Sequence, residues 1–287
     1  MNKNIKGNTK LYAVIGNPIT HTISPEIHNS IFDRCQSNST YVPLKVISEV
    51  MDKVIYLLKS SFGGFNVTIP HKQEIMKHLD EIDDQALHYG AVNTVKIVNG
   101  KLKGFNTDGY GFCKSMEIHD IHVKGKKVLL LGTGGAARVA AFELVKKGAI
   151  LTIANRHKEK AHKLKEELTS NLGQVFISSI GIDEVQGQYE GIVNATPVGM
   201  YPNTDQIPLS VELLEGVAFV LDMIYNPYET KLLRLAKEKG SLCVNGFSML
   251  FYQAVKSQEI WTDTFLDRDM IQSVYTELER YLIEKFR

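Results

Sequence analysis

Lys72 follows closely on GGFNVTIP, residues 63–70, an apolar run that a proline closes. Such a run reads as a buried strand, and open α/β sheets bind ligands beyond the carboxyl ends of their strands, so a lysine there is a candidate for chemistry. Two further stretches put polar residues beside strands: GAVNTV at 90–95, which carries Asn93, and GFNTDGYGF at 104–112, which carries Asp108. An ammonium and a carboxylate brought together can manage a hydroxyl proton and stabilise negative charge on a carbonyl oxygen. Any one lysine or aspartate is more often a solvated surface group, so position must decide.

A different chemistry is written into GTGGAAR, residues 132–138. Gly132 allows a tight turn, Gly134 and Gly135 let the backbone approach a pyrophosphate, and the small Ala137 lets a helix pack closely on a strand. The helix that follows offers free N–H groups and the positive end of its dipole to phosphates. A lone glycine motif is weak evidence, but this one follows a strand and opens a helix. About twenty residues on, the next strand ends at Asn155, where a site for an unphosphorylated ribose would place an acid. NRHKEK stands there instead, and Arg156, with Lys158 or Lys160 near, suits a 2′-phosphate through charge-assisted hydrogen bonds. The pattern predicts NADP over NAD.

The elements that must hold these groups alternate between apolar runs and amphipathic stretches. LYAVIG reads as a strand, and Ser24 and Pro25 suit the cap and first position of a helix. STYVPLKV is a strand, EVMDKVIYLLKS has helical spacing, and VNTVKIVNGKLKGFN reads as a hairpin turning at Asn99 and Gly100. From about Val123 a second unit runs strand, glycine turn, helix and strand within about thirty residues. Further strands are expected at GIVNAT, AFVLDMIY and LCVNG, a helix at ETKLLRLAKEKG, and helices over 248–260 and 267–286. The alternation implies an α/β protein of two domains.

The 287 residues suit two modest domains. Thirty-three basic residues against 32 acidic ones leave no field that favours a polyanion, so nucleic acid is not an expected partner. The N-terminal MNKNIKGNTK lacks the apolar core of a secretory signal, and no apolar run approaches a bilayer span, so a cytoplasmic protein without a membrane partner is expected. Cys35, Cys113 and Cys243 are odd in number and far apart, which suits reduced thiols. His119 and His122 have metal-pair spacing, yet nothing nearby completes a ligand set, and no metal is expected. His21, His28 and His71 flank the reactive stretches, where buried structural roles fit them at least as well as catalytic ones.

Taken in order, GNPITHTISPEIHN, GFNVTIPHK, GAVNTV, GFNTDGYGF, GTGGAAR, NR, NATPVGM, DMIYNPYET and NGFSMLFYQAV closely resemble the shikimate dehydrogenase family, from about Tyr12 to Trp261. The resemblance implies NADPH-dependent reduction of 3-dehydroshikimate to shikimate. It also implies a substrate-binding domain over 1–114, a Rossmann dinucleotide-binding domain over 115–247, and C-terminal helices over 248–287 that return to the first domain. Lys72 and Asp108 match the family's catalytic pair. Thr22, Ser24, Thr68, Asn93, Tyr225 and Gln253 match its substrate-binding positions. Gly132, Gly134, Gly135, Ala136, Asn155, Arg156, Lys160, Thr196, Met223 and Gly246 fall where the cofactor is expected. The chain departs from the family at Thr22, where serine is usual, at His157, where threonine is usual, and at Lys160, where arginine is usual. The implied partner is a small-molecule substrate, with the chain a monomer or homodimer. A quinate-oxidising dehydrogenase of the same architecture and an inactive metabolite-sensing relative are the alternatives.

Overall fold

The apolar runs of the sequence become the inner strands of two sheets in the computed structural model, which describes residues 5–20, 22–173 and 175–286. His21 lies outside the described residues. The chain divides into two units, Met1–Gly111 with Leu250–Leu278 and Phe112–Met249 with Glu279–Arg287.

In the first unit β1 (Lys10–Gly16), α1 (Ser24–Arg34), β2 (Ser39–Lys45), α2 (Met51–Ser61) and β3 (Phe62–Val67) make a parallel βαβαβ core. β4 (Glu81–Ile82), α3 (Asp84–Tyr89), β5 (Thr94–Val98) and β6 (Lys101–Phe105) complete a mixed sheet in the order β2-β1-β3-β5-β6-β4. β5 and β6 form the expected hairpin, with both Asn99 and Gly100 at positive φ, as a two-residue turn between twisted strands requires. Ser24 is the first residue of α1 rather than its cap, which is Ile23, and its N–H goes to the Thr22 hydroxyl. α4 (Asp108–Ile118) follows the hairpin.

β1 shows why a parallel strand reads as one apolar run: both of its faces are covered. Ala13 and Ile15 join Phe65, Val67, Leu58 and Ile75 on one side, while Tyr12 and Val14 join Phe32, Tyr41 and Trp261 on the other. Trp261 stacks on Tyr12 at 4.7 Å between ring centroids and donates its indole N–H to the Val95 carbonyl. A methyl group at Gly64 would stand 2.4 Å from that indole nitrogen and 2.8 Å from that carbonyl oxygen, so only glycine fits. His28 stacks on Tyr41, and burial pushes its pKa down to about 3. The Gln258 amide donates to the His28 carbonyl and to Nδ1, which leaves the ring proton on Nε2.

In the second unit, β7 (Lys127–Leu131), α5 (Gly135–Lys146), β8 (Ile150–Asn155), α6 (Lys158–Leu172) and β9 (Ile177–Gly181) form one half. The other half comprises β10 (Gly191–Asn194), β11 (Phe219–Asp222), α7 (Lys231–Glu238) and β12 (Leu242–Val244). All pairings are parallel, in the order β12-β11-β10-β7-β8-β9, so the direction of winding reverses between β7 and β10. That order is the Rossmann order, and its switch point is where dinucleotides bind. Cys113 is partly buried on α4, where burial and the Glu143 carboxylate that accepts its S–H push its pKa up to about 12, leaving an inert thiol. α8 (Phe247–Thr262) and α9 (Arg268–Lys285) close the chain. The end of α9 belongs to the second unit, where Glu279 accepts the Tyr228 hydroxyl and Phe286 accepts its N–H.

Asp222 ends β11 with no solvent exposure and accepts from Asn194, the Ile224 N–H and the Thr230 hydroxyl. Burial outweighs these bonds and raises its pKa to about 6. The folded state therefore holds this proton more tightly than the unfolded chain, so the residue's contribution is full below pH 4 and is lost as pH rises through 6. Asp222→Asn should remove a fall in unfolding free energy on the order of 3 kcal/mol between those limits, read from urea titrations at pH 4 and 7. Gly64→Ala should cost on the order of 3 kcal/mol in the same measurement, because the indole must move and its hydrogen bond break.

Candidate active site

The segment leaving β3 is pinned by backbone bonds. Thr68 donates its N–H to the Ile15 carbonyl, His71 to that of Thr68, Asn17 to that of Ile69, and Val92 to that of Lys72. The buried His71 ring contacts the Val46 carbonyl at 2.7 Å, so this histidine anchors the turn. Thr68 thus stands beyond β3, beside the loop that leaves β1. In that loop the Thr22 hydroxyl donates to Ser24 Oγ at 3.1 Å. The loop bonds and the strand end fix the lysine backbone from two sides.

Lys72 Nζ donates to Asp108 Oδ2 at 2.5 Å, with the two side chains 19 % and 9 % exposed. Asp108 opens α4, and its own N–H goes to Asn106 Oδ1, whose Nδ2 donates to the Ala91 carbonyl. The second carboxylate oxygen, Oδ1, accepts Asn93 Nδ2 at 2.8 Å. Asn93 cannot turn over, because its Oδ1 already accepts the Thr107 N–H at 2.8 Å. Gln253 on α8 points Oε1 at Asn93 Nδ2 and the Thr107 hydroxyl while its Nε2 donates to the Leu250 carbonyl. Both carboxylate oxygens are therefore held, and the ammonium they orient keeps a partly exposed face.

A layer of buried polar groups that sequence reasoning missed supports this set. Asn66 Nδ2 donates to the Asn93 carbonyl and stands 3.0 Å from both Thr94 Oγ1 and Ser257 Oγ, while its Oδ1 accepts the Tyr41 hydroxyl. Thr94 and Thr107 complete the layer around Asn93. The asparagine inside an otherwise apolar GGFNV run was the available signal, since a buried amide must find partners.

In the second unit, the cofactor candidates gather along the carboxyl edge of the sheet. Gly132 has φ +106°, and a methyl group there would stand 3.0 Å from the Ala195 carbonyl oxygen and 3.2 Å from the Thr196 methyl, across the switch point. Thr196 is fixed by its N–H and hydroxyl on Asn194 Oδ1. A methyl group at Gly246 would lie 2.1 Å from the Met223 carbonyl oxygen, which brings those two strand ends into contact. Gly134 and Gly135 face open space, where an added methyl meets nothing within 4 Å. Gly134 caps α5 without any side-chain bond, leaving that helix start free for an anion. Ala136 lies in the first turn of the helix. Asn155 Nδ2 bonds Thr133 Oγ1 and the His157 carbonyl, tying the end of β8 to the glycine turn. Arg156 and Lys160 are exposed beyond it. This open cradle with a cation at the next strand end fits a phosphorylated dinucleotide. Tyr225 stands in the same unit on the loop after β11, its ring against Phe286.

Among the described residues no group of three or more His, Cys, Asp or Glu could hold a metal ion, and no helix is long and apolar enough to cross a membrane. His122 instead meets Asp120 on the surface, and His119 bonds the Ser115 carbonyl.

Residues 14–95 match the family model of the shikimate dehydrogenase substrate binding domain, and residues 115–194 match that of shikimate / quinate 5-dehydrogenase. The NADP(+) shikimate dehydrogenase of Carboxydothermus hydrogenoformans is 44 % identical over 265 residues, covering 90 % of this chain and 93 % of the relative. A crystal structure of a shikimate dehydrogenase in complex with NADP+ is 41 % identical, with a TM-score of 0.89 over 99 % of this chain and 98 % of that one. The Thermus thermophilus enzyme, solved with NADP(H) and shikimate, is 31 % identical, with a TM-score of 0.84 over 93 % of this chain and 99 % of its own. The chain belongs to the shikimate dehydrogenase family.

Proposed function

We infer that the protein is an NADP-dependent shikimate dehydrogenase, which reversibly reduces 3-dehydroshikimate to shikimate. The observation that carries the catalytic assignment is the Lys72–Asp108 pair, with the carboxylate held at both oxygens by Lys72 and Asn93. When bound, the reduced nicotinamide supplies the hydride. What remains for the protein is to hold the ketone, stabilise the charge that grows on its oxygen and deliver one proton.

Lys72 fills that role: its ammonium donates a proton to the forming alkoxide, becoming a neutral amine that regains a proton from solvent. Asp108 orients the ammonium and offsets its charge. In the direction of oxidation the same amine accepts the hydroxyl proton. Asn93, Gln253, Thr68, Thr22, Ser24 and Tyr225 are the donors and acceptors we assign to the substrate's hydroxyls and carboxylate. Groups left unpaired by a ligand lacking a hydroxyl would enforce selectivity. For the cofactor we assign Gly132, Gly134, Gly135 and Ala136 to the pyrophosphate, Arg156 and Lys160 to the 2′-phosphate, Asn155 to the adenosine side, and Thr196, Met223 and Gly246 to the nicotinamide side. We place the enzyme in the cytoplasm, as a monomer or homodimer, where its three free thiols stay reduced.

One observation favours a broader substrate range. Thr22 brings a methyl group to the hydroxyl pair that it forms with Ser24. Turnover of shikimate and quinate measured side by side with each cofactor decides between the two readings.

Lys72→Ala should lower kcat by about two to four orders of magnitude while circular dichroism stays unchanged; wild-type turnover in a folded variant would remove the lysine from the chemistry. Arg156→Ala should raise KM for NADPH by about tenfold or more and leave KM for NADH almost unchanged. An equal rise for both cofactors would contradict the 2′-phosphate assignment.

A further inference from the structure

β8 and β9 are paired in a register that sets Asn155 opposite Gly181, so the residues leaving one strand stand beside those leaving the other. Arg156, His157, Lys158 and Lys160 leave β8, all exposed. Glu184 lies three residues beyond Gly181, in the short helical turn that follows β9. Lys158 Nζ donates to Glu184 Oε1 at 2.7 Å, and the Gly181 N–H donates to Glu184 Oε2 at 2.9 Å. The carboxylate is thus anchored to the backbone as well as to the ammonium. Those two donors hold its pKa below the usual carboxylate range, so it is charged at neutral pH. Among the described residues Arg156 and Lys160 have no ion-pair partner, while His157 stands 3.7 Å from Glu159.

We propose that Glu184 is a specificity-determining residue of the cofactor site: by pairing Lys158 and fixing a negative charge beside the basic end of β8, it limits the attraction available to a ribose 2′-phosphate. The inference rests on Arg156 being the phosphate reader. A doubly charged phosphate arriving at Arg156 meets Lys158 already neutralised, and the backbone bond to Gly181 keeps the glutamate from withdrawing. The unphosphorylated cofactor carries no charge at this position, so the term acts on NADP and not on NAD. Because the pair is exposed, the effect is modest and falls with ionic strength. The discrimination between the two cofactors is therefore set by a carboxylate in the turn after the neighbouring strand as well as by the cations of NRHKEK.

Glu184→Gln tests this, since the amide retains an oxygen for the Gly181 N–H and loses the charge together with the acceptor that faces Lys158. The measurement is equilibrium binding to the full-length protein, by calorimetry, of NADP+, NAD+, 2′,5′-ADP and 5′-AMP at low and high salt. The variant should bind NADP+ and 2′,5′-ADP roughly threefold tighter at low salt, with the gain shrinking at high salt and NAD+ and 5′-AMP unchanged. Lys158→Ala should move NADP+ and 2′,5′-ADP the opposite way by a similar factor. Unchanged or weaker NADP+ binding by Glu184→Gln, or an equal shift for NAD+, overturns the proposal, as does a silent Lys158→Ala. Arg156→Ala separates the two levels. If it leaves NADP+ binding intact, the phosphate assignment and the role of Glu184 fall together; if it weakens NADP+ while Glu184→Gln does nothing, only Glu184 falls.

Discussion

The Asp108 carboxylate, almost buried and bonded at both oxygens, is the constraint on which the proposed chemistry rests. A buried charge is expensive unless it is paired and hydrogen-bonded, and each partner here meets a separate part of that requirement. Lys72 supplies the opposite charge. Asn93 supplies a neutral donor that cannot turn away, because the Thr107 N–H fixes its amide. The start of α4 and the Asn106 side chain set the backbone from which the carboxylate projects. The result is an ammonium held in one orientation, which is the preorganisation that the proposed proton transfer and charge stabilisation would need.

The two sheets solve different problems with the same local rule. In both, a glycine or a polar residue stands just past the carboxyl end of a parallel strand, where the backbone turns and side chains are free to face a ligand. The first sheet then adds an antiparallel hairpin, β5–β6, that brings Asn93 and Asp108 back to the lysine. The second keeps all its strands parallel, and the reversal between β7 and β10 opens the space over Gly134 and Gly135.

Much of this was legible in the chain because the signals are local. The parallel strands read as unbroken apolar runs, Asn99 and Gly100 announced their turn, and GTGGAAR between a strand and a helix announced the cradle. α4 was not legible: Gly109 and Gly111 weaken its first turns, and the bonds of Asp108 to Lys72 and Asn93 come from distant parts of the chain. β4 is two residues long and β9 is partly exposed, so neither has a clear pattern. The support for Asn93 was hidden for another reason. Asn66 and Ser257, 191 residues apart, meet only in the folded unit, and no spacing in the sequence records such a pair. Glu184 escaped notice in the same way, since its partner lies 26 residues earlier, at the start of α6.

The interdependence of Lys72 and Asp108 is the central claim, and a double-mutant cycle on kcat/KM measures it directly. If the carboxylate acts by orienting and balancing the ammonium, removing either group disables the other, and Lys72→Ala/Asp108→Ala should be hardly slower than the slower single variant. Losses that multiply across the two sites, with both single variants folded, would show that the two residues act separately and would contradict the account.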